Sequence, residues 1–552
     1  MTEWLLSGHN TQESVAIAQP VTVTHTEDAL DDQIAWFLGQ LAGDTLDFDL
    51  TLKPTVVVQG RLYLNINYFA RNMAVVMPFD PESIGVPADK VPKDLLQEIP
   101  RPSLGRQLQL PLRFRRTYSW AADFYRQLLP DLNRILRDYY WQLRDGHDIA
   151  LPFVWNLFDS GLYDQFEEIN RAHIVVALTI TTLDGILRQR VPQLLSLFAG
   201  QATATSLIGQ RIWELRQTAE QCGQKVCRML KEGTVELEAF ERIPAAAPLV
   251  AGVRAFVREY GHRGFRYEAD WAAERLADRP EHVLLAVAGQ LSESEPPEVR
   301  ARASQQAALE ALQRMNPIQR TLWRRVLRWG QQLISWREDS KSSLALRQAA
   351  YGQAAHHLAL QYYRHHSDDI MMFYTTKELV AFVRSQGEQR VEQEILDRRR
   401  AEFELYQTQP PPPELIWYDP ATRHWRPALK EEEKAFTVTT SHLQGIAASA
   451  GSGMAEGIAV VTNDPLDAGR RLLELEGPAV LVTRLTDPAW SGLFRRLSAV
   501  VTELGGVISH AAIVARENGL PAVVGIPEVT RLVRDGQYLR VDGATGTVEI
   551  LK

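Results

Sequence analysis

The spacing of apolar and polar residues predicts a long helical region in the middle of the chain. From about residue 116 to residue 385, apolar residues recur three and four positions apart, which is the spacing that lines one face of an α-helix. Before it, the apolar runs 55–58 and 61–66 flank Gln59-Gly60 and predict two strands joined by a tight turn. We interpret the leucines and aromatic residues of the helical region as core positions and its charged residues as solvent-facing.

The pattern changes after four consecutive prolines, Pro410 to Pro413, which favour an extended, semi-rigid segment. The polar stretch that follows, up to about residue 440, has no clear period and is predicted to be a linker. Beyond it, the short apolar runs 457–461, 479–482, 499–501 and 522–524 alternate with helical or turn segments at 465–475, 490–497 and 509–518. This alternation predicts a compact α/β domain.

The chain of 552 residues is too long for one hydrophobic core. We therefore predict a multidomain fold in which a mainly α-helical domain is followed by a compact α/β domain. The expected boundaries are a mixed N-terminal part at 1–115, the helical domain at 116–406, a Pro-rich linker at 407–442 and the α/β domain at 443–552.

Composition excludes several classes of protein. The net charge of −8 argues against a general binder of nucleic acid or anionic membranes. The two cysteines, Cys222 and Cys227, are too few for a disulfide scaffold, and no metal site is expected because further ligands are not evident. The N-terminus lacks the features of a signal peptide, and the longest apolar run, 174–183, falls far short of the roughly 20 residues that span a bilayer. We expect a soluble, cytoplasmic protein without membrane insertion.

The segment around His510 has the pattern of a helix that starts beside a buried strand. A strand-like run precedes the pair Gly505-Gly506, which allows a tight turn, and Ser509 is a favourable residue for capping a helix. Arg516 lies within the predicted helix, and Gly519 ends it. His510 is therefore placed in the first helical turn, where unpaired N–H groups and the helix dipole favour an anion.

Two interpretations of His510 follow from these residues. A deprotonated imidazole is a competent nucleophile near neutral pH, so the histidine could carry a phosphoryl group at the helix start. A histidine that only packs or caps would produce the same local pattern. The residues alone leave both interpretations open.

A longer sequence pattern around His510 distinguishes these two interpretations. The segment closely resembles the swivelling phosphohistidine domain of the phosphoenolpyruvate-utilising enzymes, through the motifs Gly505-Gly506, Ser509-His510-Ala511-Ala512, Ala515-Arg516-Glu517, 519–525 and Val541-Asp542-Gly543. Thr486-Asp487-Pro488-Ala489-Trp490 is similar to the branch that contains rifampicin phosphotransferase and phosphoenolpyruvate synthase. Ile508 stands where the dikinase branch has threonine. The resemblance implies that His510 is the catalytic phosphoryl carrier and that Gly505, Gly506, Ser509 and Arg516 support its loop.

The helical region resembles the substrate-binding domain of the same branch more weakly. Tyr260-Gly261-His262-Arg263-Gly264, followed by Glu268 and Asp270, is similar to one motif of that domain with altered spacing. Here His262 and Arg263 could bind a phosphate or a substrate oxygen, or could form a structural network. Arg337 and Lys341 belong to a second motif that resembles the same domain, and they share a helix face. Two cations on one face could neutralise the negative charge of a phosphoryl group while it is transferred. The alternative is an ordinary ion-paired helix, because Glu338 and Asp339 lie between them.

The family resemblance implies a phosphotransferase, kinase-like in its chemistry, with its phosphoryl donor elsewhere. Members of this branch charge the histidine from ATP on an ATP-grasp domain, for which we find no glycine-rich phosphate loop in this sequence. We expect a separate ATP-grasp protein that binds ATP and Mg, no cofactor on this chain, and a small-molecule acceptor. The alternatives are a non-catalytic binding or regulatory protein that retains the carrier fold, and a ligase-like use in which the phosphoryl group activates a substrate for condensation.

Overall fold

The structure of the chain is a computed structural model. The structure describes the residues 3–7, 31, 33–40, 52–73, 104–159, 161–187, 203–264, 274–291, 310, 313, 316–362, 374–375, 378, 381–382, 384–385, 387–408, 412–413, 415–428, 441–450, 453–506 and 509–551. Among these residues, no helix is both long enough and apolar enough to cross a membrane.

Strands lie at the start of the chain and in its last third. They are β1 Trp4–Ser7, β2 Thr55–Val58, β3 Arg61–Asn65, β4 Leu415–Asp419, β5 His424–Pro427, β6 His442–Gln444, β7 Ile446–Ser449, β8 Met454–Val461, β9 Ala479–Thr483, β10 Leu497–Thr502, β11 Ala522–Val524, β12 Tyr538–Asp542 and β13 Thr547–Ile550.

Helices fill most of the described residues between the two groups of strands. They are α1 Leu104–Asp123, α2 Leu129–Arg144, α3 Ala150–Asp159, α4 Leu162–Leu187, α5 Ala204–Gln221, α6 Gln224–Lys231, α7 Leu237–Glu241, α8 Ala247–Tyr260, α9 Glu281–Gln290, α10 Pro317–Tyr362, α11 Gln393–Thr408, α12 Pro465–Glu474, α13 His510–Asn518 and α14 Val529–Leu532. Shorter helical turns follow β3 at Ile66–Tyr68 and Phe69–Met73, join α1 to α2 at Phe124–Leu128, precede α8 at Pro244–Ala246 and lie between β9 and β10 at Pro488–Trp490 and Phe494–Arg496. The helical middle and the α/β end agree with the predicted layout.

The chain divides into two compact units. The first consists of Met1–Gly185, Tyr267–Ala273 and Ser340–Lys434, and the second of Ile186–Arg266, Glu274–Asp339 and Ala435–Lys552.

The first unit contains a five-stranded antiparallel sheet in the order β2-β3-β1-β4-β5. The predicted hairpin of β2 and β3 is confirmed, and its turn places both Gln59 and Gly60 at positive φ. Leu6, Tyr63 and Ile416 are fully buried between strands that are far apart in sequence. This sheet therefore brings together the N-terminal part and a segment more than three hundred residues later.

Part of the stretch up to about residue 440, which was predicted to be a linker without a clear period, forms strands. β4 and β5 lie within it, and β4 pairs along its length with β1. The hydroxyl of Tyr63 also donates to the carbonyl oxygens of Pro412 and Pro413, at 3.2 and 3.1 Å. The hydrogen bonds of a neighbouring strand order this segment, although its own sequence has no clear period. The other predicted domain boundaries stay predictions.

The second unit contains an eight-stranded mixed sheet in the order β6-β13-β12-β8-β9-β10-β11-β7. Its centre, from β8 to β11, is parallel, and antiparallel strands complete both sides. Fully buried residues such as Val480 and Val500 line the two faces of this centre. The apolar runs of the central strands suit a sheet that is covered on both faces.

Helices of the same unit pack against the part of the chain that forms this sheet, residues 441–551, which we call the sheet segment. A core built from α5, α6, α8 and α9 also takes in Leu466 of α12. Gly469 and Gly492 lie so close to this core that an added Cβ would stand 2.3 Å from a carbon of Leu285 and of Ala286, respectively. We call Leu285 and Ala286, together with Ile212 and Trp213 of α5, the docking face.

Candidate functional site

His510 is the first residue of α13, the helix that follows the parallel strand β10 along the chain. Ser509 caps the helix, and its hydroxyl accepts a hydrogen bond from the backbone N–H of Ala512 at 3.2 Å. Gly505 adopts φ of 119°, which disfavours any other residue at this turn. Gly519 ends the helix in the left-handed conformation. The predicted start and end of the helix are both confirmed, and they place the imidazole where the helix dipole is positive.

The imidazole of His510 is held at both ring nitrogens. Thr486 Oγ1 lies 2.9 Å from Nδ1, and Ser491 Oγ lies 3.2 Å from Nε2. The ring of Phe494 meets the imidazole edge to face, with 6.1 Å between the ring centroids. The side chain is only 4% exposed. The ring therefore has one orientation, and each nitrogen faces a hydroxyl that can donate or accept a hydrogen bond.

The two hydroxyls come from one short segment that follows β9. Asp487 accepts a hydrogen bond from the N–H of Ala489 at 2.9 Å and thereby caps the helical turn Pro488–Trp490. This turn places Thr486 before it and Ser491 after it on the same imidazole. The sequence had singled out residues 486–490 as a family motif without assigning a contact, and Ser491 was missed.

The residues predicted to support the His510 loop occupy structural positions. Arg516 is buried and donates through Nη1 to the carbonyl oxygen of Ala448 at 2.8 Å, which ties α13 to β7. The carbonyl oxygen of Gly506 accepts a hydrogen bond from the N–H of Ser509 at 3.0 Å. Ile508, where the sequence departs from the dikinase branch, lies outside the described residues.

A second polar cluster lies where α13 approaches the N-terminal end of α5. Thr203 caps α5, and its hydroxyl donates to Glu517 at 3.3 Å. Thr205 donates to Glu338 at 2.7 Å, and Arg337 donates to the other carboxylate oxygen of Glu338 at 2.6 Å. Loss of hydration, with the charge of Glu338 as a second cause, raises the pKa of Glu517 from 4.5 to about 8. Sequence reasoning did not identify Glu517 or the two threonines as site residues.

The remaining predicted site residues lie in the helical parts of the chain. Arg337 is buried and paired with Glu338, so the ion pair considered from the sequence is present. Lys341 lies one turn further along α10 and is partly exposed. His262 and Arg263 are both buried in the turn after α8, where Arg263 accepts through its carbonyl oxygen from the N–H of Leu276.

Glu268 and Asp270 lie outside the described residues. Within the described part of the chain, no three His, Cys, Asp or Glu side chains come close enough together to hold a metal ion.

Two segments match known families. Residues 475–546 match the mobile domain of the PEP-utilising enzymes, and residues 171–338 match the fourth domain of rifampicin phosphotransferase. The first segment contains His510 with Thr486 and Ser491, and the second contains Thr203, Arg337 and Glu338. Both polar clusters therefore lie largely within matched segments.

The names of curated relatives agree with these two family matches. A rifampicin phosphotransferase of a Streptomyces species is 31% identical over 328 residues, which cover 57% of this chain and 36% of the relative. A rifampicin phosphotransferase of Bacillus subtilis is 36% identical over 186 residues, 34% of this chain and 19% of the relative. A phosphoenolpyruvate synthase of Aeropyrum pernix is 38% identical over 136 residues, 25% of this chain and 16% of the relative. The chain thus matches only about a third or less of each relative's length.

Proposed function

We propose that this chain transfers a phosphoryl group through a phosphohistidine at His510. The premise is that the chain is related to the phosphotransferases of the PEP-utilising family through its two matched segments. The observation that carries the proposal is the placement of His510 at the first position of α13 with a hydroxyl beside each ring nitrogen. A helix N-terminus favours the negative charge that the imidazole would acquire.

The two hydroxyl contacts suggest which nitrogen reacts. A neutral imidazole carries its proton on one nitrogen and keeps a lone pair on the other. The contact between Thr486 and Nδ1 is the shorter of the two, at 2.9 Å against 3.2 Å for Ser491 and Nε2. In our proposal Nδ1–H donates to Thr486, which leaves the lone pair on Nε2, and the Ser491 hydroxyl gives way as the nitrogen–phosphorus bond forms.

The donor and the acceptor complete the proposal. The donor is ATP with Mg on a separate ATP-grasp protein. As Nε2 attacks, the bond from phosphorus to the bridging oxygen of ATP breaks, and the rest of the nucleotide leaves on that oxygen. The acceptor is a small molecule whose hydroxyl oxygen then attacks the phosphorus, so that the nitrogen–phosphorus bond breaks and the hydroxyl proton passes to the released imidazole. Arg337, Lys341, His262 and Arg263 are the proposed groups for neutralising the phosphoryl charge or binding the acceptor.

Labelling with ATP tests this function. The full chain is incubated with labelled ATP, Mg²⁺ and candidate ATP-grasp proteins, and the label is tested for loss in acid and mapped to a peptide. We expect acid-labile label on the peptide that contains His510, and only when an ATP-grasp protein is present. Label without an added protein would contradict a separate donor, and no label with any candidate would favour a binding or regulatory protein. Analysis of the released product distinguishes a phosphorylated acceptor from a condensation product.

Thr486→Val is expected to slow labelling of His510 about fivefold, because loss of one hydrogen bond costs about 1 kcal/mol and the imidazole tautomer is no longer selected. Ser491→Ala should have a smaller effect, since its hydroxyl must leave Nε2 in any case. Initial labelling rates at saturating ATP measure both. Thr545→Val, an exposed position of the same segment, is the matched control. If Ser491→Ala were the slower variant, Nδ1 would be the reactive nitrogen.

A further inference from the structure

Residues 491–496 lie between the imidazole of His510 and the docking face, and we call them the turn segment. Ser491 Oγ lies 3.2 Å from Nε2 of the imidazole, and the ring of Phe494 meets the imidazole edge to face. The residue after Phe494 is Arg495, whose guanidinium lies against α5 instead. One side of the turn segment therefore contacts the reactive ring, while its other side contacts the helices of the second unit.

Trp213 of α5 is the residue that meets Arg495. The guanidinium carbon of Arg495 lies 5.1 Å from the centroid of the Trp213 ring. The guanidinium carbon of Arg216, one turn further along α5, lies 4.3 Å from the same centroid. Both distances are within the about 6 Å at which the face of an indole attracts a cation. Trp213 is 7% exposed and Arg495 is 4% exposed, so the contact is removed from water, where this attraction is stronger.

Arg216 fixes the ring that Arg495 meets. Its Nε donates to the carbonyl oxygen of Gln290 at the end of α9 at 3.0 Å, and its Nη2 lies 3.0 Å from a carboxylate oxygen of Glu220. Arg216 therefore connects Trp213 to α9 within the helices of the unit. The contact between Trp213 and Arg495 differs from this one, because Arg495 belongs to the sheet segment and the contact crosses the docking face.

Close packing gives the turn segment a defined place on these helices. A Cβ added to Gly492 would stand 2.3 Å from the nearest atom of the docking face. Arg496 donates through Nη2 to the carbonyl oxygen of Leu472 in α12 at 2.8 Å, and its Cγ would lie 3.6 Å from a Cβ added to Gly289 in α9. Arg495 adds a charged contact with α5, so the turn segment is held against three helices.

We propose that Trp213 is a positioning residue for His510, because it binds Arg495 and thereby holds the turn segment against the imidazole. It acts through Arg495 and the turn segment, and not on a reacting atom. The inference rests on the proposed carrier function for its meaning, since a nucleophile needs a fixed orientation toward the phosphorus atom. The contact itself does not require a phosphoryl group, so it can be tested separately.

Hydrogen–deuterium exchange of the full chain tests the contact without ATP or an acceptor. The N–H groups of Leu493 and Arg496 donate to the carbonyl oxygens of Trp490 and Leu493, at 2.8 and 2.9 Å. Their exchange, measured by mass spectrometry of the peptide that contains them, reports how often the turn segment opens. A longer incubation measures exchange of the hydrogen on the carbon between the two ring nitrogens of His510, which reports the surroundings of the imidazole.

Trp213→Leu should speed amide exchange in the turn segment about tenfold or more, because the attraction between two desolvated groups is lost. Exchange at the His510 ring should become faster in the same variant. Trp213→Phe retains a weaker aromatic face, so its increase should be smaller. Arg495→Met removes the charge but keeps a long apolar side chain, and it should match Trp213→Leu.

A double variant decides whether the two residues act as a pair. Trp213→Leu and Arg495→Met together should exchange about as fast as either substitution alone, because each one already removes the contact. Arg144→Met is the matched control, since the Arg144 guanidinium lies 5.8 and 5.9 Å from the ring centroids of Tyr140 and Trp141 in the first unit. This control should leave the turn segment unchanged. Thermal unfolding identifies any general loss of stability, and Trp213→Phe keeps the test possible if Trp213→Leu does not fold.

The results separate this role of Trp213 from the proposed function. Wild-type exchange in folded Trp213 and Arg495 variants, or effects that simply add in the double variant, would overturn the contact. A faster turn segment with unchanged exchange at the His510 ring would contradict the positioning role and leave Trp213 as a packing residue. Failure of the carrier function would appear separately, as a wild-type chain that shows the expected exchange but accepts no acid-labile label.

Discussion

Replacing His510 by alanine is expected to abolish phosphoryl labelling of the chain completely. The imidazole is the nucleophile in our proposal, and removing the ring also removes the nitrogen base that lies beside its two hydroxyl neighbours. The substitution also removes a buried ring and leaves a cavity, which costs about 2–5 kcal/mol of stability in comparable cases. His510→Asn retains polar atoms in that space and serves as the second variant. Labelling and thermal unfolding are measured on both.

His442→Ala is the matched control for this prediction. His442 belongs to the same segment, its side chain is 66% exposed, and it lies 3.5 Å from a carboxylate oxygen of Glu549 at the surface. The control should accept label as the wild-type protein does. Acid-labile label on a folded His510→Asn protein would place the carrier elsewhere and would contradict the proposed function.

The helix that carries His510 could be predicted because its signals are local. The cap at Ser509 and the terminating Gly519 act within the helix itself, so the residues alone define where it begins and ends. The contacts of the imidazole could not be predicted in the same way. Thr486 and Ser491 precede His510 by 24 and 19 residues, and they reach it only because β9 and β10 lie side by side in the sheet.

In the stretch after Pro410 to Pro413, by contrast, the local sequence did not predict the structure. β4 and β5 have weak patterns of their own, and the sequence favours a linker there. Their order comes from pairing with β1, whose Leu6 lies opposite Ile416 in the register. A periodicity within one segment carries no information about a partner strand four hundred residues away, so tertiary pairing overrides the local prediction.

The charged residues of the polar cluster at the N-terminal end of α5 could be predicted only in part. Arg337 and Glu338 are neighbours in sequence, and the ion pair between them could be considered directly. Glu517 was interpreted only as part of a family motif, although loss of hydration, with the charge of Glu338 as a second cause, raises its pKa. A shift of this kind depends on loss of hydration and on charges from other elements, which become known only when the fold is known.

Gly492→Ala is expected to weaken docking of the sheet segment on the helices of the second unit by about 1–3 kcal/mol, a range typical of overpacked cores. The added Cβ would lie 2.3 Å from the Cβ of Ala286, 3.3 Å from its Cα and 3.2 Å from Ile212 Cδ1. The Cβ of Ala286 is fixed to the backbone of α9, so the clash can be relieved only by moving the helix or by separating the segments.

Gly469→Ala provides an internal comparison for the same surface. Its added Cβ would lie 2.3 Å from Cδ2 and 2.7 Å from Cγ of Leu285, which are atoms of a side chain that can rotate and are not a Cβ fixed to the backbone. A change of rotamer can relieve that clash, so the loss of docking should be smaller than for Gly492→Ala. The docked fraction ranks the two variants. It is measured by energy transfer between dyes on cysteines introduced at the exposed positions Arg211 and Arg531, after Cys222 and Cys227 have been replaced by serine.

Gly209→Ala separates a docking defect from a general effect of adding a methyl group. Gly209 lies inside α5 with nothing within 4 Å of its added Cβ, and a glycine replaced by alanine within a helix gains about 0.5–1 kcal/mol. This control should dock normally and unfold at a slightly higher temperature.

Because the docking face contacts the segment that carries His510, Gly492→Ala should also lower transfer to the acceptor while His510 still accepts label. Equal docking of Gly492→Ala and Gly209→Ala would show that the contact between Gly492 and α9 does not hold the carrier segment in place.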